Sequence, residues 1–367
     1  MIRASLHLLP VLCCLCAIHP ASADELPFAL FPNGVADRDG KAGYVHAAAG
    51  GVEALDLATG KVLWNFTEPC RPLALMGDRL VCQAAEKGKA NAIRLMMLDV
   101  RDKGKVLLRS DPITFPDWVS VGTTYGRSFT SEAIPDGKDA LVLRWEARAW
   151  YAGGARPTPE IEARARKHER GAVRVHLDSG RVDPKAPPVA PPPLLKGELA
   201  TVKPASVWTG SDWQAKPLLI GKQAAVLTKE QVGGLEKLEL QVWDTETGKA
   251  APKVELMRGQ SLWPQLGMDG RFVFVHQAIP KEKLPPGEYA WSVFSLETGK
   301  RVAKVPFAGA QALTVVGPRL YSVQEVTGGG RPGMFKRTRT LKAVDLATGN
   351  VLWQHAVWAP PFLPPLP

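Results

Sequence analysis

Cysteine is scarce and poorly placed for chemistry. The 367-residue chain has five, and Cys13, Cys14 and Cys16 fall close to its start. The remaining two, Cys70 and Cys82, are too few for a cysteine-rich zinc site. Histidine is equally thin: beyond the first 23 residues there are only His46, His168, His176, His276 and His355, none at a metal-ligand spacing. A nucleophile elbow, a phosphate loop and a zincin motif are all missing. Asp37-Arg38-Asp39-Gly40 begins like a calcium loop but lacks the later ligands, so it reads as a turn. No apolar run after residue 23 reaches membrane-span length, which predicts a soluble mature chain. Acidic residues are outnumbered, 36 against 46 Lys and Arg, for a formal charge of +10. The basic clusters read first as a solvated loop and a salt-bridged helix, with a patch for an acidic partner as the alternative, while the lack of any nucleic-acid-binding motif argues against DNA or RNA.

The N-terminus explains part of this pattern. Arg3, an apolar run over residues 6–18 and Ala21-Ser22-Ala23 together read as a secretory signal, residues 1–23. A retained anchor is the alternative; no residue stands before Cys13, Cys14 or Cys16 that a lipoprotein signal would want. Export implies an oxidising compartment, where Cys70 and Cys82, flanking a strand-turn-strand pattern, are a candidate disulfide, with two buried thiols as the alternative.

What the sequence has in quantity is turn residues, 34 Gly and 32 Pro, and a repeat. Ala54-Leu55-Asp56-Leu57-Ala58-Thr59-Gly60-Lys61-Val62-Leu63-Trp64 is nearly copied by Ala343-Val344-Asp345-Leu346-Ala347-Thr348-Gly349-Asn350-Val351-Leu352-Trp353. Weaker copies keep Asp244, Thr247 and Gly248, or Thr298 and Gly299 after Ser295, or Gly180 after Asp178 and Ser179, or Gly104 after Asp99. The motif is a turn: the Asp carboxylate accepts bonds from N–H groups ahead of it, the Thr hydroxyl adds another, and Gly takes positive φ. A second turn precedes each copy, at Gly40, Gly77, Gly137, Gly221, Gly270 and Gly317. Each unit thus reads as four short antiparallel strands, A to D, which is a propeller blade.

The Ala-x-Asp-x-x-Thr-Gly-x-x-x-Trp pattern resembles the tryptophan-docking repeat of the PQQ-like propeller family. The resemblance covers residues 24–359 and implies an all-β propeller whose strand A lines a channel and whose Trp64 and Trp353 pack between blades. Six blades follow from the six motif copies, with seven as the alternative, because the motif glycines are 76 and 68 residues apart around Gly180. The content of those gaps reads as insertions: a short charged helix within residues 156–170, and a proline-rich connector over residues 183–198. Phe28 to Phe31 reads as a weak first strand of blade one, and residues 351–358 as a strand shared with N-terminal residues to close the ring. Residues 360–367 read as a proline-rich tail.

Quinone dehydrogenases of the family resemble larger eight-bladed rings with a vicinal disulfide over the cofactor and a carboxylate cluster for calcium. This chain's adjacent cysteines lie in the signal, so the expectation is no cofactor, no metal and no enzymatic activity. The functional expectation is an exported periplasmic or secreted scaffold for a protein or acidic polymer. An outer-membrane-assembly propeller is the alternative within the family, and a quinone-dependent oxidoreductase the alternative outside scaffolding. Candidate partner contacts are Arg164, Arg166 and Lys167 on the inserted helix, and Arg331, Lys336, Arg337 and Arg339 in a basic loop after three glycines.

Overall fold

The computed structural model describes residues 26–122, 127–149, 158–160, 167–184, 202–208, 213–220, 222–268, 270–277, 290–306, 312–328 and 336–359. The side chains of Trp213, Ile220, Gln277, Pro306, Val326, Thr327, Gly328, Lys336 and Arg337 are not described. The signal, the proline-rich connector after Pro184 and the tail after Ala359 lie outside these residues.

Alternating apolar residues bounded by glycine turns fold into an all-β propeller. Blade one is β1 (Phe28–Phe31), β2 (Gly34–Asp37), β3 (Ala42–His46), β4 (Val52–Asp56) and β5 (Val62–Phe66), paired in chain order. Blade two is β6 (Arg71–Met76), β7 (Arg79–Ala85) and β8 (Ala92–Asp99), whose outer edge carries β9 (Lys105–Arg109) and β10 (Ile113–Thr114). Blade three is β11 (Arg127–Pro135), β12 (Ala140–Ala149), β13 (His168–His176) and β14 (Val182–Asp183). A two-strand hairpin, β15 (Val207–Trp208) and β16 (Trp213–Gln214), precedes blade four, which is β17 (Leu218–Ile220), β18 (Gln223–Val232), β19 (Leu235–Asp244) and β20 (Val254–Gly259). Blade five is β21 (Leu262–Leu266), β22 (Phe272–Gln277), β23 (Ala290–Ser295) and β24 (Arg301–Pro306), and blade six is β25 (Ala312–Val316), β26 (Arg319–Gly328), β27 (Lys336–Asp345) and β28 (Val351–Val357). Six such sheets occur among the described residues. Every pairing within a blade is antiparallel; β15 joins β21 in parallel at Trp208 and Gln265.

Because each blade is a four-strand meander, one face of the ring collects the A–B and C–D turns and the other the B–C loops and D–A links. We call these the turn face and the loop face. The inner strand β6 packs against β11 of blade three and against β1, β2 and β3 of blade one. Apolar clusters then run from blade to blade. One joins blades one to three, a second blades four and five, a third blade six to blade one, and a fourth blades five and six.

Several sequence expectations change. Blade one has a true A strand, β2, and Phe28–Phe31 lies inside it as a fifth strand with Phe31 fully buried. The last strand does not enter blade one's sheet. β28 pairs with β27, and closure comes from a single Ala47–Val357 bridge and the Trp358 N–H donating to the His46 carbonyl at 3.0 Å. The inserted helix is shorter than expected: Pro159 and Glu160 are helical, but His168 to Arg170 already belong to β13. The basic loop of blade six is likewise strand from Lys336 onward, because β26 and β27 pair over ten residues each.

Candidate functional site

The repeat turns come first, since they fix the blades. In blade one the Asp56 Oδ1 accepts from the Thr59 N–H at 2.8 Å and from the Thr59 hydroxyl at 3.0 Å, and the Lys61 N–H donates to Thr59 Oγ1 at 3.4 Å. Asp244 with Thr247 and Asp345 with Thr348 repeat that geometry. The backbone N–H of the Thr, with its hydroxyl second, holds all three carboxyls below the usual aspartate range. In blade five the Ser295 hydroxyl stands in for the carboxylate and accepts from the Thr298 N–H at 3.3 Å.

Docking is between successive blades. Gly60 has φ +72°, and a Cβ there would lie 2.6 Å from the Trp353 ring; Gly104 has φ +79°, and its Cβ would lie 2.7 Å from the Trp64 ring. Trp353 of blade six therefore sits on blade one's turn, and Trp64 of blade one on blade two's. The Trp353 indole N–H donates to the Leu57 carbonyl at 3.2 Å, which also accepts from the Tyr321 hydroxyl at 3.1 Å. Where the tryptophan is missing, smaller groups take its place: Val254 lies over Gly299, and the Arg109–Ser110 backbone over Gly180. Gly248 has nothing within 4 Å of its Cβ position, and Gly349 has φ +73°.

Cys70 and Cys82 are two buried free thiols, not a disulfide. Cys82 faces Pro72 in register, so Cys70 is a diagonal neighbour. Burial first, then a hydrogen bond with Cys70, pushes the Cys82 thiol well above its ordinary value.

The predicted basic contacts are dispersed. Arg164, Arg166 and Arg331 lie outside the described residues, and Lys336 and Arg337 are placed only as backbone in β27. Lys167 is exposed just before β13. Arg339 is not a free surface cation: its Nε donates to Glu325 Oε2 at 2.8 Å, and both side chains are only 12% exposed. It serves the β26–β27 hairpin as an internal ion pair.

The groups that gather instead lie at the loop face, where the inner strands begin. Arg71 opens β6, and its Nη2 donates to Gln83 Oε1 at 2.9 Å, Ser131 Oγ at 2.6 Å and the Ser131 carbonyl at 3.3 Å. The Ser131 hydroxyl in turn donates to Gln83 Oε1. His46, the last residue of β3, stacks on Trp358 with ring centroids 4.8 Å apart and planes 17° apart. Asn33 ties the same corner, its amide donating to the Trp358 carbonyl at 3.2 Å. Burial first, and the Arg71 charge second, lower His46 to about 4, so its ring is neutral at physiological pH.

Blade three adds a second cluster on the same face. Glu146, 8% exposed, receives Arg148 Nε and lies 2.8 Å from His168 Nε2. Burial works to raise this carboxyl, but the Arg148 hydrogen bond and charge outweigh it and hold it low. The Trp118 indole donates to Glu169 at 3.0 Å, and Phe115 packs tilted against Phe129 and edge to ring against Trp145. On the opposite side of the ring, Trp263 stacks on His276 and remains 46% exposed. Composition counted these tryptophans, but only the alternation of strands places them on one face.

Three histidines pair with carboxylates, His168 with Glu146, His176 with Asp183 and His355 with Glu53. None of these pairs touches a serine, threonine or cysteine nucleophile among the described residues. No group of three or more metal-ligating side chains occurs among them either, and no helix among them is long and apolar enough to cross a membrane. At the turn face, a cavity of about 210 Å3 lies between Leu26, Phe28, Leu30, Arg38, Arg271 and the Val316-Gly317 turn.

No protein-family model matches the chain, and no curated protein matches it. Solved structures similar to it include propellers. The Dos1 propeller is 12% identical over 84% of this chain and 65% of its own, with a TM-score of 0.25. TolB from Acinetobacter baumannii is 12% identical over 84% of this chain and 61% of its own, with a TM-score of 0.33. The WD40 domain of SCAP from fission yeast is 6% identical over 92% of this chain and 89% of its own, with a TM-score of 0.33. This chain thus spans less than two thirds of the length of the first two.

Proposed function

We propose that the chain is an exported, non-catalytic propeller of the PQQ-like repeat type that binds a protein or acidic polymer of the cell envelope on its loop face. The repeat type is supported by Trp64 docked over Gly104 and Trp353 over Gly60. Export rests on the reading of residues 1–23 as a signal. A binding role is supported by the half-exposed Trp263 ring on the loop face.

One observation carries the choice of face. The turn face is spent on internal bonds, with the Thr N–H donating to the Asp carboxylate and the Gly N–H to the Asp carbonyl in blades one, four and six. The loop face instead presents Trp263, 46% exposed, and the long hairpins β12–β13, β18–β19 and β26–β27. Aromatic groups with one exposed side are the residues that anchor interfaces.

The test is crosslinking in the native envelope with mass-spectrometric mapping, comparing wild type with Trp263→Ala and with the turn-face variant Lys222→Ala. Crosslinks on the three hairpins that weaken in Trp263→Ala and persist in Lys222→Ala support the reading. Crosslinks confined to the turn face overturn it.

A further inference from the structure

We propose that the turn-face cavity between blades one, five and six binds a small carboxylic acid whose apolar body is the size of a benzene ring. The inference goes beyond the proposed function and does not rest on it, because docking there uses the loop face and this cavity lies at the other face of the ring.

The cavity, of about 210 Å3, is walled by the first turns of three blades and by β1. Blade one contributes Arg38 from the turn between β2 and β3, blade five Arg271 from the turn between β21 and β22, and blade six the Val316-Gly317 turn. These turns hold one another. A Cβ on Gly40 would lie 2.9 Å from Val316 Cγ1, so the turns of blades one and six are in contact. The Met268 N–H donates to the Leu313 carbonyl at 2.7 Å, which ties the turn of blade five to the inner strand of blade six. β1 packs against that same inner strand, β25, and Leu26 and Phe28 are anchored in the apolar core. The walls are therefore fixed through backbone contacts, which keeps the space from collapsing.

Two chemistries meet in it. Leu26, Phe28, Leu30 and Val316 supply an apolar side, and the charged residues that line it are both arginines. The acids beside Arg38 in sequence are engaged elsewhere: Asp37 accepts from the Lys41 N–H at 2.7 Å and the Ala42 N–H at 2.9 Å, and Asp39 pairs with Lys41 at 3.6 Å. No acidic side chain among the described residues lines the cavity. Two cations at one space repel, and an anion between them relieves the repulsion. A guanidinium carries five N–H donors, so each arginine can hold a carboxylate in the cavity and keep a protein partner as well. The apolar side selects an acid with an apolar body over a bare inorganic anion, which would leave that side uncovered. Volume sets the size. An engineered cavity of about 150 Å3 admits benzene, so this one accommodates a benzene ring with a carboxylate attached.

The experiment is titration calorimetry on the purified full chain at constant ionic strength, with sodium benzoate as the probe and sodium acetate, inorganic phosphate and benzyl alcohol as comparisons. Benzoate is expected to bind one to one. Acetate and phosphate lack the ring and benzyl alcohol lacks the charge, so each binds at least about tenfold more weakly. Arg38→Gln and Arg271→Gln each weaken benzoate by about tenfold and leave benzyl alcohol unchanged. Lys222→Gln removes a cation from the corresponding turn of blade four, away from the cavity, and leaves benzoate binding as it was. Arg38 is exposed, so its variant decides the matter if Arg271→Gln does not fold. No benzoate binding to wild type, phosphate or benzyl alcohol binding as tightly as benzoate, or the same loss in Lys222→Gln as in the arginine variants overturns the proposal. Loop-face crosslinks without benzoate binding reject this cavity site alone, whereas turn-face crosslinks with benzoate binding intact reject only the choice of docking face.

Discussion

At the scale of single residues, the inner strand β11 holds a carboxyl with no hydrogen-bond partner. Glu132 Oε2 is buried without one, and burial, opposed only by the Arg144 charge, raises the group to about 7. The unfolded chain titrates this group near its ordinary value of 4.5. Between these values the folded state holds the proton that the unfolded state has lost, so stability falls as pH rises and the penalty is complete above about 7. Glu132→Gln is therefore expected to stabilise the protein by on the order of 2–3 kcal/mol at pH 8, with no gain near pH 4. His46 runs the other way. Its folded value of about 4 lies below the ordinary 6.5, so its contribution is lost as pH falls through that window in both proteins, and the difference between them isolates Glu132. Denaturant unfolding of both at pH 4, 6 and 8 measures it; a constant difference would mean that Glu132 does not titrate between those limits. The turn residues Asp56, Thr59 and Gly60 were legible in the sequence because their bonds are local, within four residues. Arg71, Ser131 and Glu132 were not, because a serine 60 positions from an arginine carries no sign of its partner.

At the scale of elements, the docking of one blade's last strand on the next blade's turn can be separated from the turn itself. Gly60 and Gly248 occupy equivalent turns with nearly equal φ, +72° and +68°. Only Gly60 has an indole above it. Gly248→Ala should cost about 1 kcal/mol, the backbone term alone. Gly60→Ala adds the displacement of Trp353, for a total of roughly 2–4 kcal/mol. Pairing each with Trp353→Ala in a double-mutant cycle should show strong coupling at Gly60 and none at Gly248. Equal costs at the two glycines would remove the docking account. The blade pattern itself was readable because strand alternation and glycine spacing are properties of short segments. The exceptions arose where neighbours decide. His168 to Arg170 carry the charge pattern of a solvated helix, yet they complete the ladder opposite Glu146, Ala147 and Arg148. Phe28–Phe31 looked like strand A because it is apolar, but the residues that pair with β3 are the short and plain Gly34–Asp37.

At the scale of the whole molecule, closure is made by packing with little strand sharing. Blade one is built from N-terminal residues and blade six from C-terminal ones. Their join is the Ala47–Val357 bridge, the stack of His46 on Trp358, the bond from Asn33 to the Trp358 carbonyl and the His355–Glu53 pair at 2.7 Å. Apolar clusters continue through this join, since Phe31, Val45 and Leu55 of blade one share a core with Tyr321, Leu341 and Val357 of blade six. A core continuous across the seam couples the two ends of the chain, so the ring should melt as one unit even though the seam has few backbone bonds. Calorimetry is expected to show a single transition, and Asn33→Ala combined with Trp358→Ala should lower all of it by about 2–5 °C without splitting it. Were the double variant to melt in two steps, with one step unmoved, blades one and six would be thermodynamically independent and the seam would be a contact without consequence.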